Sequence, residues 1–386
     1  MDAQLFSLLR AFFALTSPNA LQFPESCSLL TINNFLVQNI LLSEHFLAYP
    51  PSDQYQQRFW KWVIETLEDR ARKCPDADFE IDAQIYTHYV SLMPPSGPAT
   101  GSSNPSTRSQ ICGRGLPGRA TPAQSYITHF WDPRNLSLDP AIRNNTVDVT
   151  HYQTTTLLES RTMIENGTTG LRTWMASFVL SQYIILHPDI VVSKRVLELG
   201  SGIGFLGIIV ATLQNIHQKM EMSSPHPSLC LTDINNEVLA RCSDNINLSC
   251  NASSNHHNID YMILDWSESI DPEQCSPLET LIHEKIHPDV ILGADVVFDP
   301  SLIPSLVGTI MVALQPTESQ KKPIVALIAL TVRNETTINK FIARVEESLL
   351  TIHEVDIGFK QTSFSETVET HNSCENVKLF RIRRAA

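Results

Sequence analysis

The chain has 386 residues, room for two domains at about 150 residues each. Its apolar share of 42% is that of an ordinary globular protein. A net charge of −13 excludes the usual nucleic-acid binder, whose phosphate affinity is carried by Lys and Arg, and steers the chain toward basic protein partners instead.

The opening run from Leu5 to Leu15 is apolar, but Arg10 interrupts it and acidic Asp2 precedes it. Leu5, Leu8, Leu9, Phe12 and Phe13 share one helical face, so the run is expected to be an amphipathic helix of the folded protein rather than a secretory leader. A second amphipathic stretch covers Leu29 to Leu47. After the Pro50-Pro51 break, with Ser52 or Asp53 placed to cap it, a helix is expected through Tyr55, Phe59, Val63 and Leu67. Phe59, Trp60 and Trp62 crowd this helix. A single buried stripe does not hold them all, so one or two Trp side chains are expected at the surface, available to a partner. A further helical stretch covers Ile81 to Leu92. Residues 1–93 thus read as a small helical domain, with substrate recognition as its expected role.

Residues 94–124 change character. Pro94-Pro95-Ser96-Gly97-Pro98, Gly101-Ser102-Ser103-Asn104-Pro105 and Gly113-Arg114-Gly115 cannot bury enough apolar surface to order themselves, and read as a flexible linker or insertion. The ordered chain is expected to resume near Tyr126, and 125–386 to form the second domain.

From Gly170 onward helix and strand patterns alternate. A helix over Leu171 to Leu186 stops at His187-Pro188, and Arg195 to Leu199 is a short buried strand. Glycines and an apolar helix from Leu206 to Leu213 follow. Strands are expected at Leu229 to Thr232, Ile259 to Leu264, Asp289 to Leu292 and Pro323 to Leu330, with helices over Glu237 to Leu248 and Ser301 to Leu314. Such alternation implies an α/β fold with a parallel sheet covered on both faces. Ile352 to Phe359 and Val377 to Ile382 are strands with no helical pattern between them, which suggests an antiparallel pair at the sheet's end.

Glu198-Leu199-Gly200-Ser201-Gly202-Ile203-Gly204 follows the first of these strands and opens a helix. Gly202-Ile203-Gly204-Phe205-Leu206-Gly207 also fits the G-x-G-x-x-G fingerprint, so the loop alone admits either a dinucleotide or S-adenosylmethionine. Three further strand ends decide between them. Leu231-Thr232-Asp233 puts an acid where a ribose diol is held, although a helix N-cap is an ordinary alternative for Asp233. Leu264-Asp265-Trp266 offers contacts for an adenine, against the commoner reading of Trp266 as core. Gly293-Ala294-Asp295 places a small residue and then a carboxylate after the fourth strand. A nicotinamide-dependent dehydrogenase does not require this series, and an inactive fold kept as a binding module does not need it intact.

Together these residues resemble the seven-β-strand methyltransferases, in the group of protein-lysine methyltransferases that carry an A-D-x-x-Y-D element. Gly167-Thr168-Thr169-Gly170-Leu171-Arg172-Thr173-Trp174 and Thr331-Val332-Arg333-Asn334-Glu335-Thr336 are similar to runs of the elongation factor 2 lysine methyltransferase family. The resemblance implies a Rossmann-like, seven-stranded, mostly parallel sheet with a terminal antiparallel pair, preceded by a small helical domain. It implies S-adenosylmethionine as cofactor, held by Trp174, Gly200, Ser201, Gly202, Asp233, Trp266 and Ala294. Asp295 is the implied active-site acid, expected to orient the amine while Phe298 and Trp266 exclude water. Phe298 stands where the group usually has Tyr. Elongation factor 2 is the implied substrate, with no nucleic acid and no membrane among the partners.

The eight cysteines are scattered without a C-x-x-C pair and read as reduced thiols of a cytoplasmic protein. The thirteen histidines show no metal-binding spacing, and no metal site is expected. Sequons at Asn135, Asn166 and Asn334 matter only in a secreted chain. No apolar run approaches the roughly 20 residues that span a bilayer.

Overall fold

The computed structural model describes residues 1–73, 79–94, 124–134, 145–165, 167–218, 227–316, 323–360, 362–364 and 374–385. The Pro/Gly/Ser-rich stretch read at 94–124 lies outside them over 95–123, as do Cys74, Cys112, Asn135 and Asn166. No helix among the described residues is long and apolar enough to cross a membrane.

The chain opens with helix α1 (Ala3–Phe13), started by Asp2, whose carboxylate accepts from the Gln4 and Leu5 amides. Its Leu5, Leu8, Leu9, Phe12 and Phe13 are all buried. The stretch from Leu29 to Leu47 is not one helix. It comprises α2 (Leu29–Phe35), a π-type turn over Leu36–Leu41, and a new start at α3 (Glu44–Ala48). The Ser43 hydroxyl accepts from the Phe46 amide at 3.2 Å, and a serine that caps a helix necessarily ends the one before it. Helix α4 (Asp53–Lys73) and α5 (Ala83–Ser91) complete the helical region.

The expectation of an exposed tryptophan on α4 is corrected. Trp60 is 0% exposed, and Trp62 is half-buried with its ring 5.7 Å from Phe23, edge to face. The core takes more than one stripe because α1 packs across α4, with the Phe12 and Phe59 rings 4.5 Å apart, while α5 covers the neighbouring face.

Two strands that the sequence patterns did not announce come next. β1 (Gln124–Trp131) and β2 (Gln153–Ser160) form an antiparallel hairpin outside the main sheet. It joins the two halves of the molecule, with Ile127 and Phe130 in the helical core and Trp131 and Leu157 in the core of the main sheet. Two buried asparagines satisfy the open edge of β2. Asn251 accepts from the Thr156 amide and donates to its carbonyl, each at 2.8 Å, and Asn245 accepts from the Leu158 amide. A buried strand edge without such partners would strand backbone polar groups away from water.

Helix α6 (Met175–Leu186) leads into the main sheet, built from β3 (Arg195–Leu199), β4 (Ser228–Asp233), β5 (Ile259–Ile263), β6 (Val290–Ala294), β7 (Val325–Thr331), β8 (Leu350–Val355) and β9 (Val377–Arg384). The spatial order is β5-β4-β3-β6-β7-β9-β8. β5 through β7 are parallel and β9 runs antiparallel to both of its neighbours, so the expected terminal antiparallel pair is present. Alternate residues face opposite cores. Val196, Leu229, Leu231 and Leu292 pack under α6, α7 (Phe205–Gln218) and α8 (Asn236–Ile246), while Leu197, Cys230, Ile291 and Ile328 pack under α9 (Cys275–Thr280), α10 (Ile303–Ala313) and α11 (Glu335–Glu347). Each fully buried side chain of this size stabilises the fold by about 1.5–3 kcal/mol. Helix α11 was not expected. Thr336, Thr337 and Asn339 are weak helix formers in its first turns, but Ile338, Phe341 and Val345 recur at helical spacing and are buried, and Asn334 caps it through the Thr336 amide.

Candidate active site

The sheet order reverses between β3 and β6, which opens a crevice at the carboxyl ends of β3, β4 and β6, the place where open α/β sheets take ligands. The loop after β3 lies in this crevice. Gly200 and Gly202 have φ of +64° and +54°, a conformation that favours glycine. Ser201 fastens the loop to β4, its amide donating to the Thr232 carbonyl at 2.7 Å and its hydroxyl accepting from the Thr232 amide at 3.0 Å. A Cβ on Gly202 would stand 3.2 Å from the carbonyl oxygen of Gly170. The two glycine-bearing runs, over thirty residues apart in sequence, therefore meet face to face. Gly207 has a packing role, since a Cβ there would stand 2.9 Å from Leu231 of β4.

Two acids lie beside the loop. Asp233, at the end of β4, accepts from the Gly202 amide at 3.3 Å and from the Asn235 amide at 3.0 Å. Burial raises its pKa, and the backbone donors act against that rise. The helix-cap alternative for Asp233 is not what the structure contains: Asn235 caps α8, accepting from the Glu237 and Val238 amides. Glu198 is 2% exposed, and its Oε2 has no partner among the described residues. Burial, reinforced by the charge of Asp233, pushes its carboxyl up to about 8.

The walls come from other strand ends. Trp174 begins α6, its indole N–H donating to the Thr169 carbonyl at 3.1 Å. Trp266 follows β5, and its ring edge is 3.5 Å from where a Gly200 Cβ would be. Ala294 closes β6 opposite Ala329. Asp295 comes next at φ +58°, its amide donating to the Ala329 carbonyl at 2.8 Å. The expected residues are thus gathered around one crevice.

Arg333 holds both oxygens of Asp295, Nη1 to Oδ1 at 3.0 Å and Nη2 to Oδ2 at 2.6 Å. Phe298, expected with Trp266 to exclude water, is 56% exposed, while Trp266 is half-buried. In the sequence Arg333 stands out only as part of the Thr331–Thr336 run. Its position just past the carboxyl end of β7 was the signal available for a site residue. Glu159 of β2 was missed altogether. Buried, with its carboxyl raised to about 7 by that burial, it accepts from the Thr173 amide at 3.1 Å and hydroxyl at 3.2 Å and so anchors the Gly167–Trp174 run from behind.

The chain is similar to several known proteins. The chain is 32% identical over 242 residues to the protein-lysine N-methyltransferase EFM3 of Chaetomium thermophilum, covering 61% of each chain. It is 31% identical over 195 residues to the human protein-lysine N-methyltransferase EEF2KMT, covering 48% of this chain and 52% of that one. It is 25% identical over 189 residues to EFM3 of Saccharomyces cerevisiae, covering 45% and 48%. The chain thus spans about half to three fifths of the length of these curated relatives. The sequence pattern of the lysine methyltransferases matches residues 154–348. As that match takes in half of the chain and every strand-end residue described above, the chain belongs to the lysine methyltransferase family.

Proposed function

We propose that this chain transfers methyl groups from S-adenosylmethionine to a lysine side chain of another protein, with elongation factor 2 as the substrate. The observation that carries the reading is the convergence of Gly200, Gly202, Asp233, Trp266 and Asp295 on one crevice at the sheet's switch point. The residues fit the cofactor. Bare glycine backbone lies where side chains would fill the space, and Asp233 is a half-buried acid whose oxygens accept only from backbone donors, among them the Gly202 and Asn235 amides. Gly200, Ser201 and Gly202 would approach the cofactor through backbone, Asp233 would take the ribose hydroxyls, and Trp174, Trp266 and Ala294 would bound it.

S-adenosylmethionine, when bound, supplies an electrophilic methyl group. The chain must present to it an uncharged amine. A free lysine has a pKa near 10.4, so deprotonation at pH 7 costs roughly 4.6 kcal/mol. An apolar wall lowers that cost by desolvation, and Trp266 would contribute to one. Asp295 would orient the amine, and alignment would supply much of the remaining rate.

The resemblance of the Gly167–Trp174 and Thr331–Thr336 runs to the elongation factor 2 enzymes supports that substrate, as does the name of the human relative. Six free cysteines among the described residues accord with a cytoplasmic location. The test has two stages. S-adenosylhomocysteine should raise the melting temperature and NAD should not. Tritiated methyl should then pass to purified elongation factor 2, with the label on lysine by mass spectrometry. Stabilisation by NAD alone, or label on any residue but lysine, would overturn the reading.

A further inference from the structure

We propose that Arg333 is a positioning residue that keeps the Asp295 carboxylate neutralised, so that the crevice admits the substrate amine in its uncharged form. This rests on the methyl-transfer reading above. It addresses a conflict within that reading, since a bare carboxylate within about 4–6 Å of an amine raises its pKa by about 1–3 units and holds it as the unreactive ammonium.

The geometry points to Arg333 as the remedy. The Asp295 side chain is 4% exposed, and the planar guanidinium meets it fork to fork. The Thr331 amide adds a donor to Oδ1 at 3.2 Å. On its other side the guanidinium lies 5.2 Å from the centre of the Trp174 ring, so one side chain links the segments after β6 and β7 to the Gly167–Trp174 run. The pair is close to neutral as a unit while Asp295 stays in place to accept a hydrogen bond. The other charges on these segments are Asp299 after β6, Glu335 after β7, Arg172 before Trp174 and Asp265 beside Trp266. Asp299, Glu335 and Arg172 are exposed and screened by solvent, whereas Arg333, its side chain 45% exposed, is in direct contact with the carboxylate, and Asp265 is occupied in accepting from the Ser267 amide. A merely structural clip would have the same contacts but no bearing on the charge of the ligand.

The experiment uses the full chain loaded with S-adenosylhomocysteine and Nα-acetyl-lysine methylamide as the probe, followed by calorimetry in two buffers of different ionisation heat. Arg333→Gln bares the carboxylate. It should bind the cationic probe at pH 7 on the order of tenfold more tightly than the wild type and release fewer protons, the tenfold corresponding to one pKa unit. That advantage should vanish above about pH 10.4, where the probe itself is neutral. Asp295→Asn leaves an unpaired cation and should shift the pH 7 affinity the opposite way, and Arg333→Lys should stay near the wild type. Equal affinity and equal proton release in wild type and Arg333→Gln would overturn the inference, as would shifts of the same sign in Arg333→Gln and Asp295→Asn. If Arg333→Gln does not fold, Asp295→Asn decides: a pH 7 affinity equal to that of the wild type overturns the inference. Failure of S-adenosylhomocysteine to stabilise the wild type is a separate result, and it counts against the cofactor reading instead.

Discussion

Glu198 is the most exacting place to perturb, because its ionisation is opposed by everything around it. The side chain is 2% exposed at the end of β3, its Oε2 lacks a partner among the described residues, and Asp233 lies near enough to add repulsion. Burial, with that repulsion second, lifts its carboxyl from 4.5 to about 8. In the unfolded chain the group ionises normally. Below about pH 4.5 it is protonated in both states and imposes no penalty. As pH rises the unfolded chain loses the proton first, so the folded state is progressively disfavoured, and the penalty levels off above about pH 8. A displacement from 4.5 to about 8 corresponds to roughly 4–5 kcal/mol at 1.36 kcal/mol per unit, a ceiling that water entry and relaxation reduce to about 2–3 kcal/mol. Glu198→Gln has the same shape without the charge. At pH 5 the variant should match the wild type within about 1 kcal/mol, since each side chain is neutral and leaves a polar atom unpaired. At pH 9 the variant should be the more stable by the amount above. Urea denaturation without ligand at pH 5, 7 and 9 measures the gap, and Glu159, also raised by burial, is common to both proteins and cancels. A gap that stays constant across this range, or one that favours the wild type at pH 9, would refute the reasoning.

Other expected outcomes concern the crevice and the helical region. Asp233→Ala should weaken S-adenosylhomocysteine binding by about 1.5–3 kcal/mol in calorimetry through lost charge-assisted hydrogen bonds, and Gly202→Arg should abolish it, because a Cβ there already crowds the Gly170 carbonyl. Unchanged affinity in both would remove the loop from the cofactor site. Asp295→Asn should lower turnover far more than cofactor affinity, and an equal loss of both in steady-state kinetics would make Asp295 a cofactor ligand or a structural residue. Deleting residues 1–93 strips the apolar cover from Ile127 and Phe130 of the hairpin, so the remainder should aggregate or fail to show a cooperative melt. A soluble remainder with native stability would show that the helical region is dispensable to the fold.

Individual residues show how far the sequence could be read. The strand at Arg195–Leu199 and the glycines after it were legible because five apolar-rich residues followed by a tight turn leave few alternatives, and the structure has that strand over the same residues. The helix over Glu335–Glu347 was not, because its Thr and Asn residues weaken the local signal and much of its stability comes from the burial of Ile338, Phe341 and Val345. The β1–β2 hairpin was hidden for a related reason. Its strands mix polar and aromatic residues and are separated by a long connection, and the partners of β2's edge are asparagines nearly a hundred residues away. The burial of Trp60 is not legible in the sequence because a single-helix projection cannot foresee a second helix on its flank.

The sequence by itself determined the alternation of strands and helices, the glycine loop, and the identity of the strand-end acids, since these depend on local backbone preference and on short-range periodicity. What it could not contain is which groups pair across the fold. That Asn235 rather than Asp233 caps α8, that Glu198 is buried without a partner for Oε2, and that Arg333 closes on Asp295 all follow from contacts between segments distant in the chain. Such contacts form only once the sheet order sets β3, β4, β6 and β7 side by side. Charge and desolvation depend on three-dimensional surroundings, so the ionisation of these acids is a property of the tertiary structure.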